Sequence, residues 1–180
     1  MKKSTILFLV SICLLAAVSA KAQRTQENFK NNVCYKWRTQ VDPSLKRIAI
    51  DNSVLTDAEI EEGIGCLLKL KGKNRRARFT GATRRNIESA SMYEPPKHPA
   101  SIEIAALYYI SYLFYDNWEH AGSVSLFDEE SEETHSNSKK SVERAYRSYQ
   151  RWFEKIKEIG LEKAREQKLD PLTGSGISWS

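Results

Sequence analysis

The chain is short of the residues that most often build metal sites and redox centres. Its 180 residues include three histidines, three cysteines and two methionines. His98, His120 and His135 lie far apart, and no H-x-x-x-H or H-E-x-x-H spacing supplies a preorganised zinc site. Asp116 and His120 would share a helix face, which we interpret as a pair at a helix end. We predict no metal and no cofactor.

Fingerprints of common enzyme classes are missing as well. The sequence contains no G-x-S-x-G motif, no P-loop and no dinucleotide-binding glycine motif. Gly72-Lys73 lacks the spacing of a phosphate-binding loop. These absences exclude the hydrolases and nucleotide-binding enzymes that are recognised by these motifs, and we assign no catalytic residue from motifs.

Long apolar runs are scarce, and the strongest stands near the N-terminus. The run over 6–18 follows two lysines and precedes the small-residue site Ala20-Lys21-Ala22. This order is typical of a secretory signal peptide over 1–22, cleaved before Gln23. The run is too short for a membrane-spanning helix, although an uncleaved anchor is the alternative. We predict one exported domain over 23–180, periplasmic or secreted, that does not span a membrane.

Removal of this segment changes both the charge and the cysteine count. The net charge of +5 falls to about +2, because three lysines and no acidic residue leave with the segment. This small charge gives no reason to expect a nucleic acid partner. Cys13 also leaves, so Cys34 and Cys66 remain as a pair. In an oxidising compartment we expect them to form a disulfide, with two buried free thiols as the alternative.

The remaining pattern predicts an all-α domain of about four to six helices. Residues 23–52 are interpreted as a helix followed by a loop, with a turn at Asp42-Pro43. Thr56-Asp57-Ala58-Glu59 is a capping box that begins a helix closed by Gly72. Pro99 suits the first position of a second helix, which is apolar all round and ends at Asp116.

The C-terminal half is predicted to contain three more helices. They run over Trp118–Phe127, Ser138–Ile159 and Leu161–Leu169. The second of these repeats its apolar residues at helical spacing. Residues 128–140 are rich in acids and polar residues, which predicts a flexible linker between helices.

Two resemblances agree with a helical fold. Ala106-Leu107 and Tyr112, followed by Asn117-Trp118-Glu119-His120-Ala121 and Leu126-Phe127, make residues 105–127 resemble one tetratricopeptide-type antiparallel helix hairpin. The segments 66–72, 79–83 and 105–113 resemble a set of small exported bacterial proteins to which no activity is assigned. This second resemblance implies export and a helical fold, and it implies no particular chemistry.

Glu103 is the one carboxylate within the aromatic-rich second helix. Exported helical enzymes that cleave cell-wall glycans place a glutamic acid in an apolar cleft, where burial suits it to general-acid work. The alternative is that Glu103 interacts with the helix dipole from the first turn. We favour the second interpretation.

The most distinctive surface feature is a basic stretch without acids, over 69–85. It predicts a surface for an anionic partner, which could be an acidic envelope protein or an anionic surface of phospholipid head groups or cell-wall polymer. The alternative is a solvated loop that answers the protein's own acidic segment over 128–133. We expect a non-catalytic protein-binding or scaffold domain, with a Glu103-dependent glycan hydrolase as the alternative. The expected contact residues are Lys71, Lys73, Arg75, Arg76, Arg78, Arg84 and Arg85.

Overall fold

The structure of the chain is a computed structural model. It describes residues 33–78, 100–116, 124–134 and 138–179. The chain forms two compact units, Met1–Tyr35 and Lys36–Ser180, and of the first only residues 33–35 are described. The expected signal peptide and its cleavage site therefore lie outside the described residues.

The described chain is mostly helical, as predicted. It contains five α-helices and one short 3₁₀ turn over Asn52–Val54, which lies between the first two helices. None of these helices has the length and apolarity needed to cross a membrane. In chain order the α-helices are α1 (Tyr35–Val41), α2 (Asp57–Leu68), α3 (Ile102–Tyr115), α4 (Lys139–Ile159) and α5 (Leu161–Glu166).

The capping box of α2 is confirmed. The Thr56 hydroxyl accepts a hydrogen bond from the Glu59 amide at 3.3 Å, and the Glu59 carboxylate accepts from the Thr56 amide at 3.0 Å. Each side chain thus satisfies an amide that has no partner within the helix. Ser138 caps α4 in a similar way, accepting from the Ser141 amide.

The start of α3 differs from the prediction. The helix begins at Ile102, because Ser101 is extended and its hydroxyl accepts from the Ile104 amide. Pro99 lies outside the described residues. The end is as expected, since Asp116 takes a left-handed conformation (φ 50°) and stops the helix. Helix α5 is shorter than predicted, and the chain turns at Lys168, which is also left-handed.

The expectation of an all-α fold is wrong in one respect, because the chain also forms a small antiparallel sheet. Its strands are β1 (Leu126–Asp128), β2 (Glu133–Thr134) and β3 (Ile177–Trp179), in the order β2-β1-β3. In its register, Phe127 pairs with Thr134 on one side and with Ser178 on the other.

This sheet corrects two predictions. Leu126 and Phe127 belong to a strand and not to the end of a helix over Trp118–Phe127; residues 117–123 lie outside the described residues. Residues 128–134, the first part of the linker expected over 128–140, form the end of β1, a turn and β2, and residues 135–137 lie outside the described residues. The physical reason is burial at alternate positions: Leu126 and Asp128 are both buried in β1, and Asp128 is bound to α4.

Helix α3 is central to the core, as its apolar sequence predicts. Most of its residues are buried, and the Phe114 ring packs edge-to-face on Trp152 of α4, with ring centroids 4.9 Å apart. The Tyr149 hydroxyl lies 2.5 Å from the Ser111 hydroxyl and also accepts from the Trp179 indole at 3.2 Å. A fully buried tyrosine therefore links α3, α4 and β3.

Two further contacts are local: one holds α1 against α2, and the other lies on strand β3. The Trp37 ring is fully buried and packs so closely on Gly63 that a Cβ there would lie 2.9 Å from the indole. Strand β3 is an edge strand of the sheet. The Ile177 amide donates to the Ser175 hydroxyl, which lies 3.2 Å from the Ile177 carbonyl oxygen.

Candidate anion-binding surface

The disulfide prediction is confirmed: Cys34 and Cys66 are both disulfide-bonded. Cys66 is buried on α2, near the helix end from which the basic stretch continues. The basic stretch is described as far as residue 78. Arg84 and Arg85, two of the predicted contact residues, lie outside the described residues.

The backbone of the basic stretch is held against the start of α3. The Ile102 amide donates to the Arg75 carbonyl at 2.8 Å, and the Glu103 amide donates to the Lys73 carbonyl at 3.1 Å. In return, the Glu103 carboxylate accepts from the Gly72 amide at 2.7 Å. These bonds fix the backbone from which the basic side chains project.

The Glu103 geometry agrees with a role at the helix end. Its carboxylate lies in the first turn of α3 and satisfies the amide of Gly72, which has the left-handed φ of 81° that favours glycine. The Glu103 carbonyl also accepts from the Tyr146 hydroxyl at 3.0 Å. Glu103 thus connects the α2–α3 segment to α4.

The predicted contact residues divide into two groups. Arg78 is an internal structural residue: its guanidinium donates to the carbonyl groups of Thr39, Asp42 and Leu45, and so closes the turn after α1. The other four described ones, Lys71, Lys73, Arg75 and Arg76, are exposed. Of these, Lys71 pairs with Glu143 at 2.7 Å and Arg75 pairs with Asp42 at 3.3 Å.

The Lys71–Glu143 pair brings the basic stretch next to α4. A hydrogen bond from Lys71 lowers the pKa of the Glu143 carboxyl, and the charges of Lys71, Arg147 and Lys139 lower it further. Lys139 and Arg147 lie one helical turn on either side of Glu143, which places all three on one face of α4. We define the basic surface as Lys71, Lys73, Arg75, Arg76, Lys139 and Arg147.

Lys139 and Arg147 were not predicted as part of this surface. Glu143 and Arg147 can be recognised in the sequence as a favourable pair on a helix. Lys71 and Glu143 are separated by 72 positions in the sequence. Their contact depends on how α2 and α4 pack together. Sequence spacing alone does not show that contact.

The Arg75–Asp42 pair stabilises the base of the surface. Burial opposes ionisation of Asp42, but hydrogen bonds from the Ser44 hydroxyl and amide, and the charges of Arg75 and Arg38, lower the pKa of its carboxyl overall. Asp42 is 4% exposed, whereas the Arg75 side chain is 63% exposed. The arginine therefore retains most of its contact with solvent.

The acidic segment finds its partners elsewhere. Arg144 binds Asp128 at 3.0 Å and Glu130 at 2.8 Å, and Lys140 also pairs with Glu130. The pKa of the Asp128 carboxyl is lowered, chiefly by the hydrogen bond from Ser141. Within the described residues, the ion pairs of the acidic segment thus go to α4 and not to the basic stretch.

The three histidines considered as metal ligands, His98, His120 and His135, all lie outside the described residues. Among the residues that are described, no group of three or more His, Cys, Asp or Glu side chains is placed to hold a metal ion. Asp116 is described, at the C-terminal end of α3. Its expected pairing with His120 stays a prediction.

Residues 117–123, where the expected tetratricopeptide-type hairpin continues into its second helix, lie outside the described residues, so the hairpin stays a prediction. Ala106, Leu107 and Tyr112 lie on helix α3, whereas Leu126-Phe127 lie on a strand. No protein-family model matches the chain, and no curated protein or solved structure matches it either.

Proposed function

We propose that this protein is an exported, non-catalytic binding domain that docks an acidic partner protein on its basic surface. One observation carries the proposal: cations from two distant parts of the chain surround the single carboxylate of Glu143. Because Asp128 and Glu130 of the acidic segment are paired with Arg144 and Lys140, these two charges are already engaged. This arrangement favours an external anionic partner over internal compensation.

The held backbone supports the same proposal. Flexible lysines lose side-chain entropy when they bind a partner. Because the backbone is already held in place, no further entropy is lost by ordering it. Exposed charges contribute mainly to the association rate and to specificity. We therefore expect binding that weakens steeply between low and physiological ionic strength.

Export rests on the N-terminal sequence pattern and agrees with the Cys34–Cys66 disulfide, because disulfides persist in oxidising compartments. The test is the intact mass of the protein recovered outside the cytoplasm. A mature chain that starts at Gln23 supports export with cleavage. An uncut chain confined to the cytoplasm contradicts it.

Docking is tested with two charge-reversal variants of equal charge. Lys73→Glu/Arg76→Glu changes the basic surface, and Lys155→Glu/Lys163→Glu changes exposed lysines on α4 and α5 outside that surface. Each is immobilised and exposed to an extract of the compartment in which the protein is found. We expect the wild type and the α4/α5 variant to retain the same acidic protein, and the surface variant to lose it.

Two results would overturn the proposal. One is equal retention by both variants, which would place the contact elsewhere. The other is binding to anionic phospholipid vesicles with no acidic protein retained, which would make the partner a membrane surface.

The alternative, a glycan hydrolase with Glu103 as general acid, has less support. One carboxylate oxygen of Glu103 already accepts from the Gly72 amide, whereas a general acid must present a proton to the substrate. Cell-wall degradation by the wild type that is lost in a folded Glu103→Gln variant would favour this alternative.

A further inference from the structure

A separate pocket lies between β3 and the loop that precedes it, and none of the described residues that line it belongs to the basic surface. Its volume is about 390 Å³, within the range of sites that take a small molecule or a single side chain. Its polar and aromatic walls include Glu129, Asp170, Thr173, Ser178 and Trp179.

The walls of this pocket are formed by local hydrogen bonds. The Asp170 carboxylate accepts from the Leu172 amide at 2.6 Å, and the Glu129 amide donates to the Gly176 carbonyl at 3.0 Å. Arg144 donates to the carbonyl groups of Ser175 and Gly176 from the α4 side. These bonds hold the walls of the pocket in place, so little ordering is needed on binding.

The charge of the pocket is negative. Glu129 and Asp170 are exposed and contribute two carboxylates, and no lysine, arginine or histidine is among the described residues that line it. The nearby Arg144 is engaged by Asp128 and Glu130. An opposite charge entering the pocket would therefore be favoured.

Trp179 adds an aromatic wall with a fixed orientation. Its indole N–H donates to the Tyr149 hydroxyl, and its ring packs edge-to-face on Tyr108 at 5.4 Å. Tryptophan is the aromatic side chain that best attracts a cation, and fixing the ring lowers the cost of that contact.

We propose that this pocket binds an ammonium group on an aliphatic chain, as carried by a lysine side chain or a free alkyl amine. Glu129 and Asp170 supply the opposite charge, and Trp179 supplies the aromatic surface. The proposal does not depend on the basic surface, since the two regions share no residue and select ligands of opposite charge.

The test is an NMR titration of the purified ¹⁵N-labelled protein, observing the indole N–H of Trp179. The probes are Nα-acetyl-lysine methylamide, its neutral analogue Nα-acetyl-norleucine methylamide, and the free diamine cadaverine. We expect a saturable shift with the lysine derivative and none with norleucine. Saturation by cadaverine at an equal concentration would identify any alkyl ammonium as the ligand, whereas weaker binding of cadaverine would identify a peptide lysine.

Variants separate pocket binding from non-specific attraction. Glu129→Gln and Asp170→Asn should each weaken lysine binding about 2- to 5-fold, the effect of one exposed charge pair. Glu132→Gln, in the same turn but outside the pocket, should leave it unchanged. Equal weakening by all three variants, an equal response to norleucine, or no saturable shift would overturn the proposal.

Discussion

At the scale of single residues, Trp37 packs closely on Gly63. A methyl group at position 63 would lie 2.9 Å from three atoms of the indole ring, which is fully buried. The Trp37 indole N–H is also bound to the Glu62 carboxylate at 3.0 Å, so the ring resists displacement. Glycine is required here by space and not by backbone conformation, since Gly63 lies within α2.

Gly63→Ala should therefore lower the free energy of unfolding by about 1–3 kcal/mol, the usual cost of overpacking. Gly65→Ala is the matched control on the same helix, because its Cβ would meet Phe153 at an ordinary 3.5 Å. We expect the control to be neutral or stabilising by up to about 1 kcal/mol, since alanine favours helix. Urea unfolding measures both, and equal losses in the two variants would refute the packing argument.

A second residue-scale prediction concerns Asp128. Its folded-state pKa is depressed, chiefly by the Ser141 hydrogen bond. The resulting stability is therefore fully present above the ordinary carboxyl pKa of about 4 and is lost as the pH falls through the lower folded value. Asp128→Asn should be less stable than the wild type at pH 7, with the gap narrowing below about pH 4. Urea midpoints across this range test it, and a constant gap would contradict it.

At the scale of elements, features that depend on nearby residues could be predicted from the sequence, whereas those that depend on distant residues could not. The capping box at Thr56 and the apolar residues of α4 depend on neighbours within one or two turns. Strand β1 has three residues and is stabilised by pairing with β3, about 50 positions later. Such a short strand has no periodicity that could distinguish it from a helix end.

The residues of the candidate site could likewise be predicted only in part. Exposed cations such as Lys73 and Arg76 follow directly from the basic composition of the stretch. Arg78 has the same side chain as Arg76, yet it closes the turn after α1. That difference depends on tertiary contacts with Thr39 and Asp42, which a one-dimensional charge pattern does not contain.

The connection between elements can be tested at Tyr149. Tyr149→Phe removes the hydroxyl shared by Ser111 and Trp179 and leaves two polar groups with one partner fewer. We expect a loss of about 1–3 kcal/mol in the free energy of unfolding, the cost of an unsatisfied buried group.

A double-mutant cycle with Ser111→Ala provides the control. The combined loss should be smaller than the sum of the single losses, because the two hydroxyls share one interaction. An unchanged stability in Tyr149→Phe, or strict additivity, would contradict the proposed link between α3, α4 and β3.

At the scale of the whole molecule, the disulfide limits the unfolded chain. Closing the loop between Cys34 and Cys66 should contribute about 3–4 kcal/mol by restricting the denatured ensemble. The Cys34→Ser/Cys66→Ser variant should lose about that much and become insensitive to reductant. Denaturant unfolding with and without reductant measures this, and mass spectrometry should find two added hydrogens on reduction. No change on reduction would contradict it.

Ser175 has a consequence for the behaviour of the protein at high concentration. An edge strand normally offers free amide and carbonyl groups that a strand from another molecule can join, which leads to aggregation. On β3, the Ser175 hydroxyl lies against both the amide and the carbonyl of Ile177. The Ser175 side chain thus occupies hydrogen-bonding groups on the β3 edge of the sheet, which disfavours the growth of intermolecular β-structure from that edge.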